Sequence, residues 1–158
     1  MRRSERSIDD VQCMQEIVQA AQWMVLSLCD GMEPYAVPVL FAVDGTAIYI
    51  HGSSQGTKAD LLRSGTACCC VFVPEATILV PEAGASCCST SLRYKSVIAK
   101  GTCTVVEDPG EARMAAWLFC ERYGAGNSPL PEAGVHCTRF WRIRVNSMTG
   151  KAANTVPS

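Results

Sequence analysis

Hydrophobic and polar residues alternate along short segments of the chain, which is the pattern of half-buried β-strands. The clearest case is residues 138–145, where Trp141 and Ile143 alternate with Arg142 and Arg144. Similar segments recur along the chain and are separated by turn residues. Together they predict six strands, at residues 22–29, 35–43, 46–51, 67–73, 94–107 and 138–145.

Glycine and proline residues indicate where these strands turn, bend or lie at an edge. Asp44-Gly45 predicts a two-residue hairpin between the second and third strands. Pro38 cannot donate a ladder hydrogen bond, so we expect the second strand to lie at an edge or to contain a bulge. Gly101 predicts a bend or bulge in the fifth strand. The fourth strand is apolar almost throughout, so we expect it to be buried on both faces.

Three helices complete the predicted elements. A capping-box pattern at Ser7 precedes a helix at residues 8–21, where apolar residues recur at helical spacing. A short helix follows Gly56. The third helix begins after Asp108 and runs to Tyr123. The side chains that we expect to point inward from it are Met114, Trp117, Leu118 and Cys120.

Strands outnumber helices, and most connections are short. Residues 74–91 are predicted as a loop with a brief strand at 77–80, because prolines, a glycine and a cysteine pair interrupt the pattern. We therefore expect a mainly β fold with flanking helices, a six-stranded antiparallel barrel that is closed or half-closed. The 158 residues suffice for one domain, assigned to residues 1–151, followed by a disordered tail at 152–158.

Charge and hydropathy exclude several function classes. The net charge is −1 at pH 7, which argues against a nucleic-acid-binding protein with a basic surface. The apolar runs are well short of the ~20 residues needed to cross a bilayer. The basic N-terminus is not followed by an apolar segment of the kind found in signal peptides. We predict a cytoplasmic protein that binds neither nucleic acid nor membrane.

The chain contains ten cysteines but no C-x-x-C pair, so no metal site is predicted. In a reducing cytosol, most of these cysteines are interpreted as small buried apolar residues. The pair Cys87-Cys88 lies in a polar stretch and is predicted to be exposed and oxidisable. The run from Cys68 to Cys70 has no assigned role.

The candidate chemistry lies between His51 and Lys58, in the segment HGSSQGTK between a strand and the short helix. Small residues let the backbone approach a ligand, while a helix N-terminus and a first-turn lysine favour an anion. We interpret this segment as a phosphate site; the alternative is an ordinary loop with a solvated lysine. A lone histidine is more often structural than catalytic, and this alternative stays open for His51 and His136. His51 is the candidate catalytic residue, because it adjoins the anion site. Ser96 could donate to a ligand or face water.

Five segments occur in an order that resembles one protein family. They are residues 35–39 (YAVPV), 48–52 (IYIHG), 56–62 (GTKADLL), 94–101 (YKSVIAKG) and 148–151 (MTGK). This ordered set resembles the pyridoxamine 5′-phosphate oxidase-like flavoproteins, and within them the nitroimidazole-resistance (Nim) branch. The resemblance extends from about residue 2 to residue 151.

The resemblance implies a split β-barrel that forms a homodimer and binds FMN at the subunit interface. Lys58 would then hold the phosphate, and His51 would lie at the edge of the active site. Ser96 and Val97 would approach the flavin from a neighbouring strand, while Trp141 would stack near the ring from the other subunit. The full set of implied cofactor-binding residues is Val37, Pro38, Val39, Ile50, His51, Gly52, Thr57, Lys58, Ser96, Val97 and Trp141.

The function implied is an FMN-dependent oxidoreductase of small molecules, such as nitroimidazoles or other nitroaromatics, in which His51 could donate a proton. The alternative is a non-catalytic, haem-binding or deazaflavin-binding member of the same fold; haem would need His51 or His136 as axial ligand. True pyridoxamine phosphate oxidase activity is disfavoured, because that branch is longer and carries further basic residues. A structural dimer with an empty pocket is the third hypothesis.

Thr57 stands where the branch often has arginine, so we expect weaker phosphate binding.

Overall fold

The computed structural model describes residues 3–29, 31, 33–62, 65–124 and 138–154. Within these ranges, the helices are α1 (Val11–Ala20), α2 (Thr57–Leu61) and α3 (Pro109–Arg122). The strands are β1 (Ser7–Ile8), β2 (Met24–Cys29), β3 (Pro34–Val39), β4 (Ala42–Asp44), β5 (Ala47–Gly52), β6 (Ala67–Leu79), β7 (Ser91–Val105) and β8 (Arg139–Ala153). All eight strands belong to one antiparallel sheet. The predicted antiparallel β class is confirmed, whereas the predicted number of six strands is wrong, because the predicted strand at 35–43 is divided and β1 adds a short strand.

The sheet curls into a barrel that is split on one side. Its strand order is β3-β2-β6-β7-β8-β5-β4, with β1 paired to β8. The two end strands, β3 and β4, are separated in sequence only by Leu40 and Phe41. This connection spans at most about 11 Å, so the sheet must curve until its ends meet. Among the described residues no ladder joins β3 to β4, and this gap is the split.

The gap also explains why the predicted strand at 35–43 is divided in two. The backbone N–H of Phe41 donates to the Tyr123 hydroxyl (3.1 Å), and that hydroxyl lies 2.9 Å from the Phe41 carbonyl oxygen. Both backbone groups of Phe41 are therefore satisfied by a side chain rather than by a neighbouring strand. Pro38 lies in β3, which is an edge strand, as predicted.

Strands β6 and β7 are longer than predicted and form an extended hairpin. The predicted loop at 74–91 is wrong over its first part, because β6 continues through Pro74 to Leu79. The register shifts between Phe72 and Glu75, and this bulge accommodates the proline. The bulge predicted at Gly101 is confirmed by a register shift there.

The core lies on the inner face of the barrel. Its fully buried side chains are Trp141, Phe41, Phe72, Met24, Leu26, Ile50, Leu62, Ile143, Val97, Cys70 and Cys103. Strand β6 is buried on one face only, contrary to the prediction: Cys68 and Cys70 point inward, whereas Ala67 and Val73 are exposed. Successive side chains of β6 point to opposite faces, but both faces carry apolar residues. The sequence therefore does not show that only one face is buried.

Helices α1 and α3 start at aspartate caps. Asp10 accepts from the backbone of Gln12 and Cys13, so α1 starts later than the predicted residue 8. Asp108 caps α3 as predicted. The predicted inward face of α3 is only partly right: Met114 and Leu118 are half-buried against the core, whereas Trp117 is exposed. The buried residues of α3 are Ala115, Ala116 and Phe119. Alanines allow the helix to approach the sheet closely, and the flanking larger side chains remain at the rim.

The predicted tail starts too early. Strand β8 includes Ala152 and Ala153, and the side-chain amide of Asn154 donates to Ser91 and Leu92. Residues 155–158 lie outside the described residues. The nine described cysteines are free, and only Cys68, Cys70 and Cys103 are buried, fewer than predicted. The pair Cys87 and Cys88 is exposed, as predicted. None of the helices in the described ranges is both long and apolar enough to cross a bilayer.

Candidate functional site

The candidate site lies where β5 ends beside the beginning of β8. These strands pair antiparallel, with Ile50 opposite Trp141 and Gly52 opposite Arg139. Directly paired residues share a face of the sheet, and residues two apart on one strand share it too. Ile50, Gly52, Trp141 and Arg139 therefore lie on the core face, and His51 lies on the opposite face.

Lys58 belongs to α2, and its side chain extends to the end of β5. Its ammonium nitrogen lies 3.4 Å from the His51 carbonyl oxygen and 5.7 Å from the centre of the Trp141 ring. A Cβ atom on Gly52 would lie 2.5 Å from the same nitrogen, so the ammonium occupies the space that a side chain at this position would need. Gly56 precedes α2 with φ of 93°, a backbone conformation that favours glycine.

Lys58 is a half-buried cation that has no charged partner among the described residues. Burial lowers the pKa of its ammonium, and in the described part of the chain no carboxylate forms an ion pair with it. Helix α2 has five residues, so its N-terminus contributes little to the positive potential. The electrostatic attraction for an anion therefore comes from the lysine, with Thr57 beside it at the start of the helix.

Trp141 adds an unsatisfied hydrogen-bond donor. Its side chain is 1% exposed, and its indole Nε1 has no hydrogen-bond partner among the described residues. The same side chain lines a cavity of about 220 Å³, together with Ser54, Ala59, Val105 and Arg139. A buried N–H without a partner is rare, and a ligand that accepts from it would remove the cost.

The stacking role expected of Trp141 from the other subunit stays a prediction. Within one chain its ring is buried and lies beside Lys58. Its indole N–H, which has no partner among the described residues, is available to a ligand.

The ring of His51 lies under α3, on the face opposite to Lys58. Its centre is 4.5 Å from that of Phe119, edge to face, and 6.0 Å from that of Phe140. Burial lowers the pKa of His51, and the positive charge of Lys58 lowers it further. The neutral imidazole is therefore favoured, and only the backbone carbonyl of His51 meets the ammonium. His136 lies outside the described residues.

Ser96 and Val97 lie far from Lys58 in the same chain. Val105 pairs with Trp141, and Ser96 precedes Val105 by nine positions on β7, which is roughly 30 Å along the strand. Val97 is fully buried. One chain thus brings together Gly52, Thr57, Lys58 and Trp141, but not the two β7 residues.

The β3 residues Val37, Pro38 and Val39 lie in the edge strand, and no hydrogen bond or ring contact of the described residues joins them to Lys58 or Trp141. Ile50 is fully buried in the core.

Two residues at the site were not predicted. Arg139 lines the cavity with Trp141, and the period-2 alternation of the last strand was a signal for it, because it places residue 139 on the face of residue 141. Phe119 packs against the His51 ring. It was not predicted because Phe119 was not among the residues expected to point inward from α3.

Comparisons with known proteins identify the family. The profile of the pyridoxamine 5′-phosphate oxidase family matches residues 10–152, which is most of the chain. The chain belongs to this family. An uncharacterised protein of Rhizobium meliloti (strain 1021) is 26% identical over 149 residues, covering 88% of this chain and 89% of its own length. The family predicted from the sequence is thus confirmed.

Solved structures of the family fold are similar over nearly the whole chain. A Bacteroides thetaiotaomicron protein with a proposed role in 5-nitroimidazole antibiotic resistance is 26% identical, with a TM-score of 0.78, and the match covers 92% of this chain and 85% of that one. The flavocytochrome Anf3 of Azotobacter vinelandii is 17% identical with a TM-score of 0.84, and the match covers 100% of this chain and 74% of that one. The FAD and haem binding protein of Mycobacterium smegmatis is 17% identical with a TM-score of 0.81, and the match covers 97% of this chain and 76% of that one. The first supports the predicted Nim branch, and the other two support the fold.

Proposed function

We propose that this member of the pyridoxamine 5′-phosphate oxidase family binds FMN and reduces nitroaromatic compounds, nitroimidazoles among them. The observation that carries the proposal is the ammonium of Lys58, which lies at Gly52 near the Trp141 ring. Within the described ranges, no carboxylate pairs with this ammonium and nothing accepts from the Trp141 indole N–H. The likeness to the Bacteroides thetaiotaomicron resistance-associated protein supports the substrate class.

The residues present fit the phosphate end of FMN. A phosphate dianion provides the negative charge that Lys58 lacks and the acceptor that Trp141 Nε1 lacks. Gly52 leaves the space in which the ammonium sits. Bound in its reduced form, FMN would supply the two electrons and two protons that convert a nitro group into a nitroso group and water. A nicotinamide donor would then reduce the oxidised FMN again.

We further propose that the protein is a homodimer with the flavin at the interface. Val25, Val71 and Ile98 are aligned across three strands on the outer face of the sheet, and Ile98 is exposed. Ser96 lies on this same face, because it is two residues from Ile98. It is too far from Lys58 of its own chain to share a ligand with it, so a second copy would bring Ser96 to the site. The free thiols suit a cytoplasmic location, which is part of the proposal.

Lys58→Ala tests the proposed function, and Lys95→Ala, which removes an exposed lysine on β7, is the matched control. FMN affinity, measured by quenching of flavin fluorescence, should fall at least about tenfold for Lys58→Ala, because a charge-assisted hydrogen bond is lost. The control should bind like the unmodified protein. Equal FMN affinity in all three proteins would refute the proposed site.

A further inference from the structure

We infer that Arg139 is a second cationic ligand of the anion held by Lys58, so that a phosphate monoester binds between the guanidinium and the ammonium. This inference rests on the proposed function and adds a residue to its binding site. It explains how the chain can bind phosphate although Thr57 replaces a cationic residue beside Lys58.

The pairing of β5 with β8 places the backbone of Arg139 directly opposite the position beside which the Lys58 ammonium lies. Gly52 and Arg139 are direct partners across the strands, and the Cβ atoms of such partners are usually about 5 Å apart. The Lys58 ammonium lies 2.5 Å from the Cβ position of Gly52. Lys58 therefore takes the place of a side chain opposite Arg139, on the same face of the sheet.

Two like charges in this arrangement repel each other unless an anion lies between them. Arg139 forms no ion pair or hydrogen bond with any described residue, in contrast to Arg142, which binds Glu111 at 3.0 Å on the other face. The described residues thus supply two cations and no carboxylate at this position, an arrangement that favours binding of an anionic ligand.

The cavity beside Arg139 has the donors that a phosphate group requires. Arg139 and Trp141 line it together with Ser54, and the buried indole N–H of Trp141 is unpartnered. Its volume of about 220 Å³ is below the ~300–1,000 Å³ of pockets that hold whole ligands, so it suits one end of a ligand. A planar guanidinium binds two phosphate oxygens at once, and an ammonium binds as a point charge, so the two cations complement each other.

The test compares FMN with riboflavin, which lacks the phosphate. Arg139→Gln should weaken FMN binding about 10- to 100-fold, while the affinity for riboflavin should change less than about twofold. Arg139→Lys should recover part of the loss. Arg144→Gln is the matched control, because Arg144 is exposed on the opposite face of the same strand. Equal losses for both flavins, or no loss for FMN, would overturn the inference.

A protein that binds neither flavin would refute the proposed function, and inorganic phosphate would then test the anion site alone. Phosphate should raise the melting temperature of the unmodified protein and of Arg144→Gln, and should not raise that of Arg139→Gln. Equal stabilisation of all three proteins would overturn the role of Arg139 by showing only nonspecific binding.

Discussion

The Lys58 ammonium nitrogen lies 2.5 Å from the position that a Cβ atom would occupy on Gly52. One side-chain position on β5 is therefore filled by a cation from another element. The glycine is required there for space, because a methyl group and the ammonium cannot both fit.

Gly52→Ala should displace Lys58 and weaken FMN binding about tenfold, while the free energy of unfolding changes by less than about 1 kcal/mol. The stability effect is small because the end of a flexible side chain can move aside. Fluorescence titration and urea unfolding measure the two quantities. In a Lys58→Ala background, Gly52→Ala should have no further effect on FMN affinity. Additive losses would show that Gly52 acts independently of Lys58.

Stability should depend on His51 at mildly acid pH. Burial and Lys58 lower its pKa below the ordinary value of 6.5, so the unfolded chain takes up a proton at a pH where the folded protein does not. The neutral His51 side chain makes its full contribution to the free energy of unfolding above pH 6.5. This contribution is lost as the pH falls from 6.5 towards the lower pKa of His51 in the folded protein. Urea unfolding at about pH 7.5 and about pH 5.5 should show a larger acid loss for the unmodified protein than for His51→Gln.

Equal acid losses in the two proteins would contradict the lowered pKa of His51. Activity in nitroreductase assays separates the catalytic prediction from this structural one. If His51 donates a proton to the substrate, His51→Gln should lower kcat and alter its pH profile. An unchanged kcat would leave His51 with a packing role under α3.

Arg122 connects α3 to the C-terminus of α1. Its Nη2 donates to the carbonyl oxygens of Ala21 (2.6 Å) and Gln19 (3.1 Å), and its guanidinium carbon lies 4.2 Å from the centre of the Phe41 ring. Arg122→Leu should destabilise the protein by about 1–3 kcal/mol, because partly buried carbonyl groups at the end of α1 lose a charged donor. Chemical denaturation provides the measurement. Arg144→Leu should cost less than about 0.5 kcal/mol, and a similar small cost for Arg122→Leu would contradict this account.

The proposed interface predicts complementation between two defective chains. A site made of Lys58 from one copy and Ser96 from the other is lost in Lys58→Ala and blocked in Ser96→Trp. After subunit exchange, mixed dimers contain one intact site each, so about a quarter of the sites should regain FMN. No recovery, in mixtures that native mass spectrometry shows to contain mixed dimers, would place both residues in the same site of one chain.

Local patterns in the sequence were enough to predict most strands and the class of fold. The alternation around Trp141 and Ile143 determined which face of β8 is buried, and Pro38 located an edge strand. Helix α3 was harder, because large apolar residues such as Trp117 surround the alanines that actually contact the sheet. Its packing depends on the shape of the surface it covers, which no residue pattern in the helix shows.

The candidate site was predicted in part. Gly52 and Lys58 flank one short loop, between β5 and α2, and could be identified from small residues and charge. Their relation to Trp141 and Arg139 depends on a strand pairing between segments about 90 residues apart. The distance from Lys58 to Ser96 likewise depends on the length of β7. Sequence reasoning could identify these residues separately but could not show which of them share a site.

The central claim, that the protein binds FMN, is tested most directly by the absorption spectrum of the freshly purified protein. The spectrum is recorded before and after addition of FMN, and the cofactor released on denaturation is identified. The account predicts the two absorption bands of a bound flavin and release of FMN. A sharp Soret band would instead indicate haem, and a colourless protein that takes up no added FMN would contradict the flavoprotein assignment.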